Sequence, residues 1–302
     1  MAIKTKNASK KRNGPFHILV ANDDGVNSPG IRALSEALTA LGRVTVVAPE
    51  REQSTMGHAL TLHKPVRLFE MGTENGVERW ALSGTPADCV YMGIRHVLGG
   101  KRPDLIVSGI NKGVNLGNDL YFSGTVAAAR EGAVMNIPAM ACSLDYRYDP
   151  GEEAQAHFEA AARYAAKLAR EILNNGLPNN CLLNVNFPPR FDQVKGVKVT
   201  RQGFLKYSDT IIKRKDFRGK PYYWLGGKLK GFSRIEGSDA NVVDEGYISI
   251  TPVRIDITQY EFMESLRTWD LGLNRGGKTT KKVSAKKTAK KRSKTTTRKK
   301  SG

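Results

Sequence analysis

Two adjacent aspartates are the strongest chemical signal in the sequence. Asp23 and Asp24 stand in Asn22-Asp23-Asp24-Gly25, directly after the apolar run 16–21, FHILVA. Such a run is typical of a strand buried on both faces, and open α/β sheets bind ligands at the carboxyl ends of these strands. Two carboxylates this close repel each other, so a hard divalent cation such as Mg²⁺ or Mn²⁺ is their natural counter-ion. The alternative is a turn at Asp24-Gly25 that Asp23 caps.

Two further oxygen donors follow later strands. Ser54 lies in the segment 49–54, PEREQS, which leaves the apolar run 43–48. Asn111 comes shortly after the run 104–108, DLIVS. A hydroxyl and a neutral amide carbonyl are both acceptable ligands for a hard cation. Taken alone, each of them is also an ordinary loop residue.

A glycine-rich segment indicates a phosphate site. Glycines at 109, 113 and 117 allow the backbone to approach a ligand, and Ser123-Gly124-Thr125 opens a predicted helix. A helix that begins in this way offers backbone N–H groups to an anion. We therefore predict that Asn115, Ser123, Gly124 and Thr125 bind phosphate. An ordinary turn followed by a helix cap at Ser123 explains the same residues equally well.

These residues must be positioned by alternating strands and helices. The apolar periodicity predicts a doubly wound, mostly parallel α/β sheet. The predicted strands are 16–21, 43–48, 104–108, 139–144 and 182–187, and the predicted helices are 29–41, 87–98, 125–135 and 152–173. After Pro188-Pro189 we find only short strand patterns, at 197–200, 222–225 and 247–251, with turn sequences at 218–221 and 226–227.

The predicted organisation has four parts. Residues 1–14 form a basic tail, 15–189 the α/β core, 190–274 a β-rich extension with a C-terminal segment for oligomerisation, and 275–302 a Lys-rich tail. The last tail has 13 basic and no acidic residues and one large aliphatic residue, Val283, so we expect it to be disordered.

The charge distribution excludes a generally basic, nucleic-acid-coating fold. The net charge is +19, but residues 1–14 carry five basic residues and no acid, and 275–302 carry 13. The rest of the chain is nearly neutral. The three cysteines, Cys89, Cys142 and Cys181, lack CxxC spacing and suit small buried side chains. Without a secretory signal or a membrane span, a cytoplasmic protein is expected.

Several enzyme classes lack their motifs in this chain. No GxGxxG follows the first strand, and neither GxxxxGK[ST] nor GxSxG occurs. His58 and His63 lie in a segment, 55–64, that could overhang the site, but no histidine pair has metal-ligand spacing.

The ordered motifs together resemble the SurE family of survival-protein 5′-nucleotidases. They begin with ILVANDDGVNSPGIRAL, VVAPEREQSTMGHALTL and SGTPADCV, continue with PDLIVSGINKGVNLGND and SGTVAAAREGA, and end with GKPYYWLGG and EGYISITP. The resemblance spans about residues 16–260. Two departures are Ser28-Pro29-Gly30 in place of Ala-Pro-Gly, and Tyr121-Phe122 where the family more often has Tyr next to Ser.

The resemblance implies a fold, a reaction and a ligand set. The fold is a Rossmann-like body with a β-rich C-terminal hairpin arm that exchanges between subunits of a dimer or tetramer. The reaction is metal-dependent hydrolysis of nucleoside 5′-monophosphates, with one Mg²⁺ or Mn²⁺ per subunit. The implied metal ligands are Asp23, Asp24, Ser54 and Asn111, with Asp23 and Asp24 as the catalytic pair. Activity on 3′-nucleotides or short polyphosphate stays open.

Two mechanistic alternatives and one functional alternative remain. A water oriented by the cation is favoured as nucleophile, because no second Asp stands two residues after Asp23 as in a DxD phosphatase. Attack by Asp23 itself is the second alternative. The functional alternative is a protein that binds nucleic acid or polyphosphate, without sequence preference, through residues 275–302.

Overall fold

The computed structural model describes residues 14–146 and 154–271, and the predicted tails at 1–14 and 275–302 lie almost wholly outside these ranges. Nine strands form the main sheet in the order β3-β4-β2-β1-β5-β6-β7-β13-β8. The strands of this sheet are β1 (Phe16–Ala21), β2 (Gly42–Pro49), β3 (Leu68–Glu74), β4 (Val77–Leu82), β5 (Leu105–Lys112), β6 (Ala139–Leu144), β7 (Cys181–Phe187), β8 (Val197–Val199) and β13 (Ile248–Arg254).

Helices cover both faces of this sheet. On one face pack α1 (Pro29–Leu38) and α4 (Ala154–Asn175), and on the other α2 (Pro86–Met92) and α3 (Gly124–Val134). The neighbouring strands β4, β2, β1, β5, β6 and β7 run parallel. The doubly wound α/β prediction is therefore confirmed. The cause is that strands such as β1 and β6 are apolar at all but one position, so both of their faces must be covered.

Three predicted elements of the α/β core differ in their bounds by more than two residues. The first helix ends at Leu38 and continues as a 3₁₀ turn over Thr39–Leu41. The second predicted helix ends at Met92, where a π-helical turn, Gly93–Val97, follows. The strand predicted to end at Ser108 continues to Lys112 through an irregularity between Ser108 and Asn111. Asn111 therefore belongs to β5 instead of the loop after it.

The C-terminal region divides between the sheet and a projecting hairpin. Strands β13 and β8 join the edge of the main sheet, β13 antiparallel to β7 and β8 parallel to β13. This differs from the expected β-rich extension, because Ile248, Ser249 and Thr251 of β13 are buried against the body. A short helix, α5 (Asp239–Asp244), precedes β13 and was not predicted.

The hairpin, here called the arm, comprises residues 205–232. Strands β9 (Leu205–Tyr207) and β12 (Leu229–Phe232) pair at its base, and β10 (Thr210–Lys215) and β11 (Pro221–Gly226) pair at its tip. Both tip strands are exposed along their whole length. The predicted turn at 218–221 and the strand at 222–225 are confirmed.

Two features lie outside the pattern-based predictions. The edge hairpin β3–β4 had no predicted element, because β3 is almost wholly exposed and shows no apolar alternation. Residues 258–271 form a separate compact unit with α6 (Tyr260–Leu266), in which Phe262 and Trp269 pack edge to face. Of the cysteines, Cys89 and Cys142 are buried as expected, whereas Cys181 is partly exposed.

Candidate active site

The carboxyl ends of β1, β2 and β5 meet at the topological switch point of the sheet. The chain leaves β1 toward β2 on one side, and β5 pairs with β1 on the other. The Gln53 N–H donates to the Asp23 carbonyl at 2.8 Å, and the Lys112 N–H donates to Asp24 Oδ2 at 3.0 Å. The segments that carry Asp23, Asp24, Ser54 and Asn111 thus converge, at the place where open α/β sheets bind ligands.

Asp23 is a buried carboxylate held by the start of α3. Its side chain is 5% exposed and accepts a hydrogen bond from the Thr125 hydroxyl. Burial raises the pKa of Asp23 to about 6; the Thr125 hydrogen bond works against this, and the charge of Asp24 adds to it. Gly124 is required here, because a Cβ on it would lie 2.8 Å from Asp23 Cβ. The negative charge of this buried carboxylate is therefore unfavourable, and a bound cation would reduce that cost.

The carboxyl group of Asp24 is also affected by burial and by neighbouring charges. Burial raises its pKa, the hydrogen bond from the Lys112 N–H lowers it, and the charge of Glu52 raises it. Glu52 is a neighbour of the carboxylate pair that the sequence analysis did not identify. A single glutamate in an exposed loop gives no pattern that would have distinguished it.

Ser54 is oriented by that same glutamate. Its hydroxyl donates to Glu52 Oε1 at 2.6 Å, which leaves the lone pairs of Oγ for another partner. The neighbouring backbone is fixed, since the Val26 N–H donates to the Pro49 carbonyl at 2.9 Å. Ser54 is thus a suitable neutral ligand whose partner Glu52 adds negative charge.

Asn111 has a side-chain carbonyl oxygen that is available to a cation. Its Nδ2 donates to the Gly113 carbonyl at 2.7 Å, which commits the amide N–H side of the group to the protein. Its Oδ1 makes no hydrogen bond to any residue within 14–146 and 154–271. The β5 backbone just before it is pressed against α1, because a Cβ on Gly30 would lie 1.9 Å from the Ile110 carbonyl oxygen.

The donor set fits a hard divalent cation. Two carboxylates, one hydroxyl and one amide carbonyl are all oxygen ligands, as Mg²⁺ and Mn²⁺ prefer. In the described parts of the chain, no group of three or more His, Cys, Asp or Glu side chains could hold a metal ion. A site built on Asp23 and Asp24 therefore needs neutral ligands, and Ser54 and Asn111 can supply them.

Asn115, one of the predicted phosphate ligands, is committed to the protein interior. Its N–H donates to Asn186 Oδ1 at 2.8 Å, and its Nδ2 donates to Ser143 Oγ at 2.8 Å. Its carbonyl accepts from the side chains of both Asn184 and Asn186. These contacts tie the loop after β5 to β6 and β7, so Asn115 positions the loop.

The predicted phosphate residues at the start of α3 have separate roles. Ser123 caps the helix by accepting from the Val126 N–H at 3.1 Å. Its hydroxyl proton has no acceptor among the described residues and remains able to donate. The hydroxyl of Thr125 donates to Asp23. Ser123 and Gly124 are therefore better placed for a phosphate oxygen than Thr125.

A second residue that the sequence analysis missed, Asp239, anchors the loop after β5. Asp239 is fully buried and accepts from the Gly117 N–H at 2.9 Å and the Gly203 N–H at 2.8 Å. Burial raises its pKa, and hydrogen bonds from backbone N–H groups lower it. Asp239 thus joins the loop after β5 to the segment that enters the arm.

The segment 55–64 packs against α3 and the residue before its cap. The Gly57 N–H donates to the Phe122 carbonyl at 2.9 Å, and His58 Nε2 lies 2.8 Å from Glu131 Oε2. Thr85 Oγ1 donates to the Ala59 carbonyl at 2.7 Å. His58 therefore fixes the segment on α3, while His63 is exposed.

Ser54→Ala should weaken divalent-cation binding by about tenfold, less than loss of either aspartate, because water can replace a neutral hydroxyl. Isothermal titration of the cation-free protein with Mn²⁺ measures this. Glu52→Gln should have a similar effect by releasing Ser54 and removing one charge, and Glu50→Gln, two residues away and exposed, is the control. A loss for Ser54→Ala as large as that for Asp23→Asn would show that Ser54 does more than bind the cation.

The fold defines a doubly wound α/β protein with a candidate ligand site at its topological switch point. The family model described as "Survival protein SurE" matches residues 18–209. The chain belongs to the SurE family.

Curated relatives and a crystal structure agree with this assignment. The chain is 48% identical to a protein of Pelobacter propionicus named "5'-nucleotidase SurE", over 84% of this chain and 99% of the relative. A protein of Geobacter sulfurreducens with the same name is also 48% identical, over 85% and 94%. The crystal structure of the SurE protein from Aquifex aeolicus superimposes with a TM-score of 0.71 at 42% identity, covering 83% of this chain and 98% of that one.

None of the helices in the described ranges has both the length and the apolar character that a membrane span requires.

Proposed function

We propose that this protein is a 5′-nucleotidase that hydrolyses nucleoside 5′-monophosphates to nucleoside and inorganic phosphate. The observation that carries the proposal is the convergence of Asp23, Asp24, Ser54 and Asn111 at the switch point, in a chain of the SurE family. The names of the relatives identify the substrate class.

The four side chains would hold one Mg²⁺ or Mn²⁺ per subunit. When bound, such a cation supplies charge that polarises a phosphoryl oxygen and lowers the pKa of water. The two aspartates balance its charge, and Ser54 and Asn111 complete the oxygen set without adding further charge. The buried position of Asp23 excludes bulk water from that side of the site.

Other groups of the chain would bind the phosphate. The Ser123 hydroxyl and the Gly124 N–H lie at the start of α3, where N–H groups stabilise negative charge. Attack by water forms a P–O bond as the bond to the nucleoside 5′-oxygen breaks, and the nucleoside leaves with a proton.

Water is favoured over Asp23 as nucleophile. Asp23 accepts from Thr125 and is packed against the Gly124 backbone, so its carboxylate has little freedom to approach phosphorus. Trapping a phosphorylated Asp23 would overturn this preference.

Phosphate release from a panel of nucleotides tests the proposal directly. We expect release from nucleoside 5′-monophosphates with Mg²⁺ or Mn²⁺ and none with a chelator. The same panel, extended to 3′-nucleotides and short polyphosphate, determines whether these are also substrates. Release that is unchanged by chelation would remove the cation from the proposal, and no release under any condition would refute the activity.

We also propose that the protein is a homo-oligomer, a dimer or a tetramer, held by the arm. A two-stranded hairpin is marginal alone, and the arm tip exposes large apolar side chains, with Leu225 84% and Phe217 91% exposed. A second copy of the chain would cover them. Light scattering should find at least a dimer at micromolar concentration, and replacing Trp224 and Leu225 by serine should shift it toward monomer.

Replacing Val134, an exposed apolar residue on α3, by serine is the control for the arm variant. A stable and active monomer of the unaltered protein would contradict the oligomer proposal.

The basic tail supports a second, accessory function. Residues 275–302 carry 13 basic residues and no acid, and they lie outside the described residues. If about six to ten of these charges contact phosphates, binding to DNA or polyphosphate should weaken by roughly 10³–10⁵ between 50 and 200 mM salt. Deleting the tail should remove this binding. It should change kcat on a nucleotide by no more than about twofold, because salt screens the electrostatic effect of the tail charges beyond ~10 Å.

Filter binding of a short DNA across a salt series measures the effect of the tail. If the truncated protein binds DNA with the same salt slope, the body of the protein is the binding surface and the tail is not. Loss of nucleotide hydrolysis on truncation would favour polyanion binding as the main function.

A further inference from the structure

The backbone packs closely against the carboxylate pair at two glycines. On the α3 side, a Cβ on Gly124 would lie 2.9 Å from Asp23 Oδ2. On the β2 side, a Cβ on Gly25 would make ordinary van der Waals contact with the Pro49 carbonyl oxygen, at 3.5 Å.

A cavity of about 360 Å³ opens at the carboxyl ends of β5 and β6. It is lined by Lys112, Gly113, Val114, Asp145 and Tyr146. This volume falls in the range of small-molecule sites, roughly 300–1,000 Å³. Since the Lys112 N–H donates to Asp24 Oδ2, the cavity begins next to the candidate cation ligands.

The cavity has a rigid aromatic wall and unused hydrogen-bond donors. The Tyr146 ring stacks on buried Phe158, with ring centroids 6.2 Å apart, and the Lys112 ammonium lies 4.4 Å from the Tyr146 centroid. Within residues 14–146 and 154–271, neither that ammonium nor the Tyr146 hydroxyl makes a hydrogen bond. A flat ring with nitrogen and oxygen acceptors is the chemistry that matches these two groups.

Gly113 leaves the floor of the cavity free of side chains. Its φ of +115° is a conformation that favours glycine, and the nearest atom to a Cβ built there is Asn111 Nδ2 at 3.9 Å. The backbone of Gly113 is therefore accessible to a ligand that lies beside Lys112 and Tyr146.

We propose that this cavity binds the nucleoside part of the substrate. The base contacts the Tyr146 ring, and the Lys112 ammonium donates to acceptor atoms of the base, while the phosphate lies at the carboxylate pair. The inference rests on the proposed 5′-nucleotidase function and adds a subsite to it.

Another described cavity is a poorer candidate. A space of about 30 Å³ between 133–138 and 176–181 lies at the amino ends of β6 and β7, away from the carboxylate pair. It is too small for a nucleoside.

The test compares substrates with and without a base. For the full-length oligomer, kcat/KM is measured on AMP and on ribose 5-phosphate, which keeps the phosphomonoester and the sugar. Tyr146→Ala should lower the ratio of the two values by about tenfold, the size of one lost base contact, mainly by raising KM for AMP. Tyr146→Phe should restore most of the ratio, because it keeps the ring.

Lys112→Gln is the second variant, because Lys112 has an exposed side chain and its backbone N–H to Asp24 is retained. It should also lower the ratio, and circular dichroism checks folding for each variant. Tyr91→Ala is the matched control: Tyr91 is a half-exposed tyrosine 5.9 Å from the Arg95 guanidinium, on α2 and outside the cavity lining.

A direct binding measurement separates the subsite from the activity. Adenosine, which lacks phosphate, should bind the unaltered protein with millimolar or better affinity and bind Tyr146→Ala at least about tenfold more weakly. An unchanged ratio in Tyr146→Ala, or an equal loss on both substrates, would overturn the subsite. If the unaltered protein hydrolyses neither substrate, the proposed function fails instead.

Discussion

Asp23→Asn should lower kcat/KM for nucleoside monophosphates by at least about 10³-fold, and Asp24→Asn should do the same. Each change removes one of the two charges that would hold the cation. The variants should stay folded, because asparagine has the shape of aspartate and can still accept from Thr125 at position 23. Steady-state phosphate release at limiting Mn²⁺ measures the loss.

The stability of the cation-free protein should increase in Asp23→Asn, although its activity is lost. Burial raises the pKa of Asp23 from 3.8 to about 6, so between these values the folded protein binds more protons than the unfolded chain. The contribution of Asp23 to the stability of the cation-free protein therefore falls as the pH rises from about 4 to 6. Asparagine avoids this cost, so the variant should gain about 1–3 kcal/mol of unfolding free energy at pH 7.

Cation binding should show the reciprocal pattern. Mn²⁺ should raise the melting temperature of the unaltered protein at pH 7, and much less at pH 5, where protons compete for Asp23. Asp23→Asn should abolish the rise at both values. Asp192→Asn, at an exposed aspartate outside the site, is the control. Near-normal turnover of Asp23→Asn or Asp24→Asn would refute the assignment of the pair.

Gly30→Ala should be the most damaging change in the scaffold, costing about 3 kcal/mol or more of unfolding free energy. The added Cβ would lie 1.9 Å from the Ile110 carbonyl oxygen and 3.2 Å from the Phe158 ring. Because the nearest atom belongs to a backbone, α1 and β5 must move apart. Urea unfolding measures the loss.

The same change should weaken Mn²⁺ binding, since Ile110 directly precedes Asn111. Gly226→Ala is the matched control, because a Cβ on Gly226 meets no atom within 4 Å, and its unfolding free energy should change by less than about 0.5 kcal/mol. Equal stability of the two variants would show that α1 and β5 are not held as closely as the structure indicates.

Much of this protein follows from local sequence patterns. Strands β1 and β6 are continuous apolar runs and α1 has regular apolar spacing, so their type and order could be predicted. The position of Asp23 and Asp24 at a strand end followed from the same run. Their ligand set came from the ordered motifs of the SurE family, and the structure places the segments that carry it together. Its binding of a cation stays a prediction.

The remainder depends on contacts between residues far apart in the chain. Asn115 has the sequence context of a phosphate ligand, yet Ser143 and Asn186, which the sheet brings beside it, take its polar groups. The local sequence pattern of β13 fits a strand in a separate extension as well as a strand in the main sheet. Only its pairing with β7 shows that it belongs to the main sheet. Local periodicity shows which face of an element is apolar; it carries no information about which distant partner covers that face or which hydrogen bonds a polar side chain makes there. The sequence by itself therefore determined the elements and the acidic pair, and the tertiary structure decided the hydrogen-bond partners of Glu52, Asn115 and Asp239.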